Sequence, residues 1–128
     1  MQDFQSLCQI RRSYRKYTNQ PVEQEKLDYI IRCALMSPAG KRMNPWHFVV
    51  IKNEEILRQL AGCRTYGSGM FDTAMAGIVV AADTSVIDTW QCDAAIAAQN
   101  IWLAATDQGL GACWFHVYQR ERADNLVR

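Results

Sequence analysis

Between Trp90 and Gln108 the chain carries Ala94, Ala95, Ala97, Ala98, Ala104 and Ala105, interspersed with Ile96, Ile101 and Leu103, and Gly109 follows. Alanine is the strongest helix former, and its small side chain lets neighbouring backbones approach closely. A helix that is apolar around most of its circumference must be covered on more than one side. The segment therefore predicts a central helix over 90–108, with Gly109 as its C-cap, and every other element has to be arranged around it.

The flanking patterns supply those elements. A first helix is expected over 3–17, where Phe4, Leu7, Ile10, Tyr14 and Tyr17 return to one side and the polar face ends in Arg11, Arg12, Arg15 and Lys16. Thr18-Asn19-Gln20-Pro21 breaks it, since proline cannot continue a helix. A second helix is expected over 23–36, its buried stripe formed by Leu27, Ile30, Ile31, Ala34 and Leu35 and its end set by Ser37-Pro38. The run 46–51 is rich in aromatic and β-branched residues and reads as a strand. Asn53 is placed to cap a short helix through Leu60, which Gly62 ends. Residues 63–72 read as a loop or short helical turn, 77–82 as a buried strand, 112–118 as a third strand, and a further helix is expected from Arg120. The order α-α-β-α-β-α-β implies an α+β chain in which helices surround a small sheet and helix exceeds strand.

Composition removes several function classes. A chain of 128 residues, 49% hydrophobic and 21% charged, is one ordinary globular domain and not a disordered segment. The net charge of +1 gives no global attraction to nucleic acid or to an anionic membrane. Met1-Gln2-Asp3-Phe4-Gln5 has no apolar run of the secretory type, and no stretch reaches the roughly 18 apolar residues of a spanning helix. Cys8, Cys33, Cys63, Cys92 and Cys113 are odd in number and scattered singly, so they read as reduced thiols of a cytoplasmic protein, without a disulfide framework or metal site. The dinucleotide fingerprint G-x-G-x-x-G and the P-loop are absent. Gly67-Ser68-Gly69 lacks the strand-to-helix setting of a nucleophile elbow. His47 and His116 have no helical partner and read first as structural histidines.

Two clusters remain. Arg11-Arg12-Ser13-Tyr14-Arg15 gathers three guanidiniums and a hydroxyl suited to a dianionic phosphate, because the planar fork of arginine matches phosphate oxygens; a solvated helix face is the plainer reading of the same residues. Ser37-Pro38-Ala39-Gly40-Lys41-Arg42-Met43-Asn44-Pro45-Trp46 has small residues that let backbone approach a flat ligand, or it is simply a connection between helix and strand.

Taken in order, Arg11-Arg12-Ser13-x-Arg15-Lys16-Tyr17, Pro21-Val22, Ser37-Pro38-Ala39-Gly40 and Asn44-Pro45-Trp46-His47-Phe48-Val49-Val50 closely resemble the nitroreductase family. A third block agrees: Asp93-Ala94-Ala95-Ile96-Ala97-Ala98-Gln99-Asn100, Leu103-Ala104-Ala105 and Gly109-Leu110-Gly111-Ala112-Cys113-Trp114. The resemblance implies an α+β homodimer with a small, mostly antiparallel sheet flanked by helices and FMN bound between subunits. It implies that Arg11, Ser13 and Arg15, with Arg12 beside them, hold the FMN phosphate, ribityl chain and pyrimidine edge. Pro38, Ala39 and Gly40 would come from the partner chain and cover the flavin, with Arg42 and Asn44 in the same loop. The backbone of Trp114, Phe115 and His116 would pass the reactive ring edge, the amide near His116 being a candidate donor to N5, and Arg15 would stabilise the reduced flavin.

The activity implied is ping-pong hydride transfer from NADH or NADPH to an acceptor such as a nitroaromatic or a quinone. The flavin carries the chemistry and no protein nucleophile or metal is required. A flavin carrier without reductase activity and a specialised reaction on the same fold, such as dehalogenation or flavin breakdown, are the alternatives. Three departures from the family pattern bear on that choice. Arg42 stands where many members have asparagine, the 67–70 loop offers no lysine where some members bind flavin, and the family's C-terminal strand and extension are not represented in the single domain expected over 1–128.

Overall fold

The computed structural model describes residues 3–64 and 66–118. Its helices are α1 (Phe4–Ile10), α2 (Gln24–Leu35), α3 (Glu54–Leu60) and α4 (Trp90–Asp107), and its strands are β1 (Trp46–Ile51) and β2 (Gly77–Ala82). Short 3-10 turns occupy Gly40–Arg42 and Gly69–Asp72.

The alanine-rich segment is the central element. α4 packs against α2, both strands and α1, and buries Asp93, Ala97, Ala104 and Ala105. Ile30, Ala104 and Ala105 form a core patch that Tyr29, Cys33, Ile78, Ile101, Leu110 and Ala112 extend. The helix ends as expected. Gly109 adopts φ +75°, its N–H donates to Thr106 O (3.0 Å) and that of Leu110 to Ala105 O (2.9 Å). This paired closure needs a left-handed residue at Gly109.

β1 and β2 form an antiparallel pair running from Trp46↔Ala82 to Ile51↔Gly77. Asn53 caps α3, its side-chain oxygen accepting from Ile56 N–H (3.0 Å). α2 buries Leu27, Ile30 and Ala34, whereas Ile31 is half-buried and Leu35 faces outward, so the buried stripe is narrower than the spacing suggested.

Two expectations are corrected. The first helix stops at Ile10 and does not run to residue 17. Asp3 caps its start by accepting from Ser6 N–H (2.9 Å), but Arg11 already has extended backbone. Ser13 pairs in parallel with Ala112, and Tyr14 N–H donates to Ala112 O (3.1 Å). A tertiary backbone pairing has displaced local helix propensity here. The expected third strand at 112–118 is reduced to that one bridge; past it, ring packing and not a hydrogen-bonded ladder holds the chain. The helix expected from Arg120 lies outside the described residues.

Candidate functional site

The Ser13–Ala112 bridge joins two segments nearly a chain length apart. It lays the basic stretch with Arg11, Arg12, Ser13 and Arg15 alongside the segment that leads from Ala112 to Trp114, Phe115 and His116. Gly111 makes the pairing close: a Cβ there would sit 3.0–3.2 Å from atoms of Tyr14.

The three arginines do different things. Arg11 stacks its guanidinium 4.4 Å above the Trp102 ring. Arg12 turns back, donating to the carbonyls of Gln9 and Arg11, and thereby closes the C-terminus of α1 where carbonyls lack helical partners. Arg15 is exposed and makes one long contact, 3.4 Å to Ser13 O. Neither ion pair among the described residues, Lys26–Glu23 and Arg58–Glu54, touches this cluster, and no acidic residue lies between Phe4 and Val22. The positive charge of Arg11 and Arg15 is therefore available to an anion. Below it, half-buried Tyr17 donates its phenol to Tyr14 O, and burial pushes that phenol up to about 12.

Residues 114–116 are held from the 63–72 segment. Phe115 packs edge-on against Phe71, with centroids 5.3 Å apart. Arg64 lies 5.4 Å over the Phe115 ring and donates to His116 O (3.4 Å). Trp114 and His116 are exposed.

The 37–44 loop is built separately. Ser37 is buried and accepts from Asn100 Nδ2 (2.8 Å). Gly40 N–H donates to Asp93 Oδ1 (3.1 Å), and the Thr89 hydroxyl donates to Asp93 Oδ2 (3.2 Å). Lys41, Arg42 and Asn44 then take left-handed φ values of 51°, 57° and 46°, which non-glycine residues adopt rarely. Pro38 and the side chains of Arg42 and Asn44 are exposed, and Ala39 is half-buried.

These two surfaces are anchored to opposite faces of α4. Successive helical residues are about 100° apart, so Asp93 and Asn100, two turns apart, share a face of α4, and Trp102 lies on the opposite face. Asp93 and Asn100 hold the 37–40 loop, while Trp102 donates its indole N–H to Arg12 O (3.4 Å) and carries Arg11.

Sequence reasoning did not assign Asp93, Asn100, Thr89, Trp102 or Arg64. The spacing from Asp93 to Asn100 was the available signal: two polar side chains on one face of an otherwise alanine-rich helix.

A central alanine-rich helix with a basic strap on one face and a small-residue loop on the other defines an α+β chain with two separate candidate ligand surfaces. The Nitroreductase family model matches residues 9–63 and 63–128, and the chain belongs to that family. It is 33% identical over 132 residues to a candidate NADH dehydrogenase/NAD(P)H nitroreductase of Archaeoglobus fulgidus, covering 100% of this chain and 75% of the relative. The structure of an FMN-dependent nitroreductase from Clostridium difficile R20291 superposes with a TM-score of 0.90 at 41% identity, covering 95% of this chain and 74% of that one. A shorter likeness, 48% identity over 52 residues, links 41% of this chain to 19% of an iodotyrosine deiodinase from Hydra vulgaris.

Proposed function

We propose that the chain is an FMN-dependent NAD(P)H oxidoreductase that acts as a homodimer in the cytoplasm. The observation that carries this reading is the placement of the basic strap and the Ser37–Gly40 loop on opposite faces of α4, the arrangement a cofactor shared between two subunits requires. Family membership and the FMN-dependent relative support the cofactor. Five cysteines, odd in number and scattered singly along the sequence, suit a reducing compartment.

The donor set fits FMN. Arg11 and Arg15, which form no ion pair among the described residues, present guanidiniums for the phosphate, and Ser13 adds a hydroxyl from the same extended segment. Arg12 contributes through backbone placement, since its side chain is engaged with α1. Pro38, Ala39 and Gly40 of the partner chain offer a small-residue surface against a flat ring, and the backbone at Trp114, Phe115 and His116 lines the other edge. Arg42 and Asn44 stand at the loop's outer rim, where a cation favours anionic reactants. The chemistry FMN supplies when bound is two-electron transfer, from NADH or NADPH and then to an acceptor such as a nitroaromatic or quinone. The protein's part is to orient the ring, supply positive charge and exclude water.

Titration of the apoprotein with FMN and with riboflavin tests the site. Tight FMN binding and weak riboflavin binding is the expected result, because only FMN carries the phosphate that the arginines pair. Equal affinities would remove the strap from the site. The likeness to the Hydra deiodinase favours a second reading, reductive dehalogenation on the same fold; halide release from a halophenol under reducing conditions, without turnover of nitroaromatics or quinones, distinguishes it.

A further inference from the structure

Asp93 is a carboxylate only 3% exposed in a helix dominated by alanine, and its oxygens are directed out of that helix's own ladder. One takes the Gly40 N–H and the other the Thr89 hydroxyl. Its position in the first turn of α4 places the charge where the helix dipole favours it. Two turns on, Asn100 grips buried Ser37. Pro38 and Ala39 are thus stretched between two anchors on one rigid face. Gly40 is also wedged from the side: a Cβ would fall 2.4 Å from Thr89 Oγ1 and 3.1 Å from Ile87 Cδ1. Directly beyond come the left-handed Lys41, Arg42 and Asn44, a backbone that persists only where its surroundings enforce it.

We infer that Asp93 and Asn100 are positioning residues that clamp the 37–40 loop onto α4, hold the left-handed turn that follows, and fix how this loop closes on the cofactor bound by the partner chain. Its cofactor role rests on the FMN reading above; the clamp itself does not. Residues of this kind touch no reactant, yet they set how much binding energy is spent ordering the loop when ligand arrives. Asp93→Asn keeps an acceptor for the Gly40 N–H, whereas Asp93→Ala leaves that N–H and the Thr89 hydroxyl to find water. Gly40→Ala disturbs the same contact from the loop side and leaves the core intact.

Two measurements decide the matter. Trypsin cleaves after Lys41 and Arg42, so the rate of cutting in the native, ligand-free protein reports the clamp directly. Cutting should be faster by about tenfold in Asp93→Ala, Asn100→Ala and Gly40→Ala, in line with the loss of one buried hydrogen bond, and near wild type in Asp93→Asn. FMN dissociation constants should rise in the same three variants and stay near wild type in Asp93→Asn. In Gly40→Ala/Thr89→Ala, where the obstructing hydroxyl is gone, both readouts should return to those of Thr89→Ala alone. Unchanged cleavage in Gly40→Ala and Asp93→Ala overturns the clamp. Faster cleavage with unchanged FMN affinity overturns its role at the cofactor. A wild-type protein that takes up no FMN while the cleavage pattern holds overturns the FMN reading and leaves the clamp standing.

Discussion

Replacing Arg15 by alanine separates ligand binding from folding. The side chain is exposed, and its 3.4 Å contact with Ser13 O is too long to contribute much. Its loss should change stability by no more than about 0.5 kcal/mol, the usual range for such surface substitutions. Against a dianionic phosphate the same guanidinium makes a charge-assisted hydrogen bond of about 1.5–3 kcal/mol, which is roughly a 10- to 150-fold change in dissociation constant. Arg11 should behave differently, because its half-buried guanidinium also lies over half-buried Trp102, a contact of about 1 kcal/mol. Arg11→Ala should therefore lose FMN affinity and also melt a few degrees lower, at roughly 4 °C per kcal/mol for a domain of this size. Fluorescence titration of each apoprotein with FMN, paired with a thermal melt, reads both quantities. Arg15→Lys should fall between wild type and Arg15→Ala, since it keeps the charge and loses the fork. Wild-type FMN affinity in both Arg11→Ala and Arg15→Ala refutes the reasoning, as does a loss in Arg15→Ala that only follows a fall in stability.

Other consequences are independent of that one. Gly109→Ala should destabilise the chain by about 1 kcal/mol in denaturant unfolding, because the φ of +75° is strained for any residue with a Cβ although nothing lies within 4 Å to clash with it; Gly109→Asn should cost less. Arg11→Ala and Asp93→Ala homodimers should each bind FMN weakly, yet a heterodimer of the two should recover one tight site, since one of its sites pairs an intact strap with an intact loop; no recovery would argue that both surfaces act within one chain. Burial raises the Cys63 thiol above its ordinary range, so mild alkylation of the native protein followed by peptide mapping should modify exposed Cys8 and Cys92 well before Cys63.

Elements held by their own periodicity were legible in the sequence. The 46–51 and 77–82 strands, the Asn53 cap and the alanine-rich helix ending at Gly109 all stand where spacing placed them, because in each case local propensity and tertiary burial agree. The strap at 11–17 was misread for the opposite reason. Its arginines and tyrosines follow a helical rhythm, but its backbone pairs with Ala112, a partner a hundred residues away that no local pattern announces. The 112–118 segment looked like a strand because aromatic and β-branched side chains suit one, whereas here Phe115 and Tyr118 pack their rings on Phe71 and Trp90. The candidate residues were readable as types, but their distribution over two faces of α4 was not, since that depends on which side of the helix each loop is tied to. Asp93 and Asn100, the ties themselves, lie in the alanine-rich block, whose pattern predicts a central helix and not what its two polar side chains hold.

Anaerobic addition of NADH or NADPH to the protein reconstituted with FMN, followed by visible absorption, tests the central claim most directly. Flavin bands that remain with the protein through desalting and then bleach with one of the two donors are the predicted result. A protein that releases all its flavin on desalting, or retains it with bands unchanged by either donor, contradicts an NAD(P)H-driven flavin oxidoreductase.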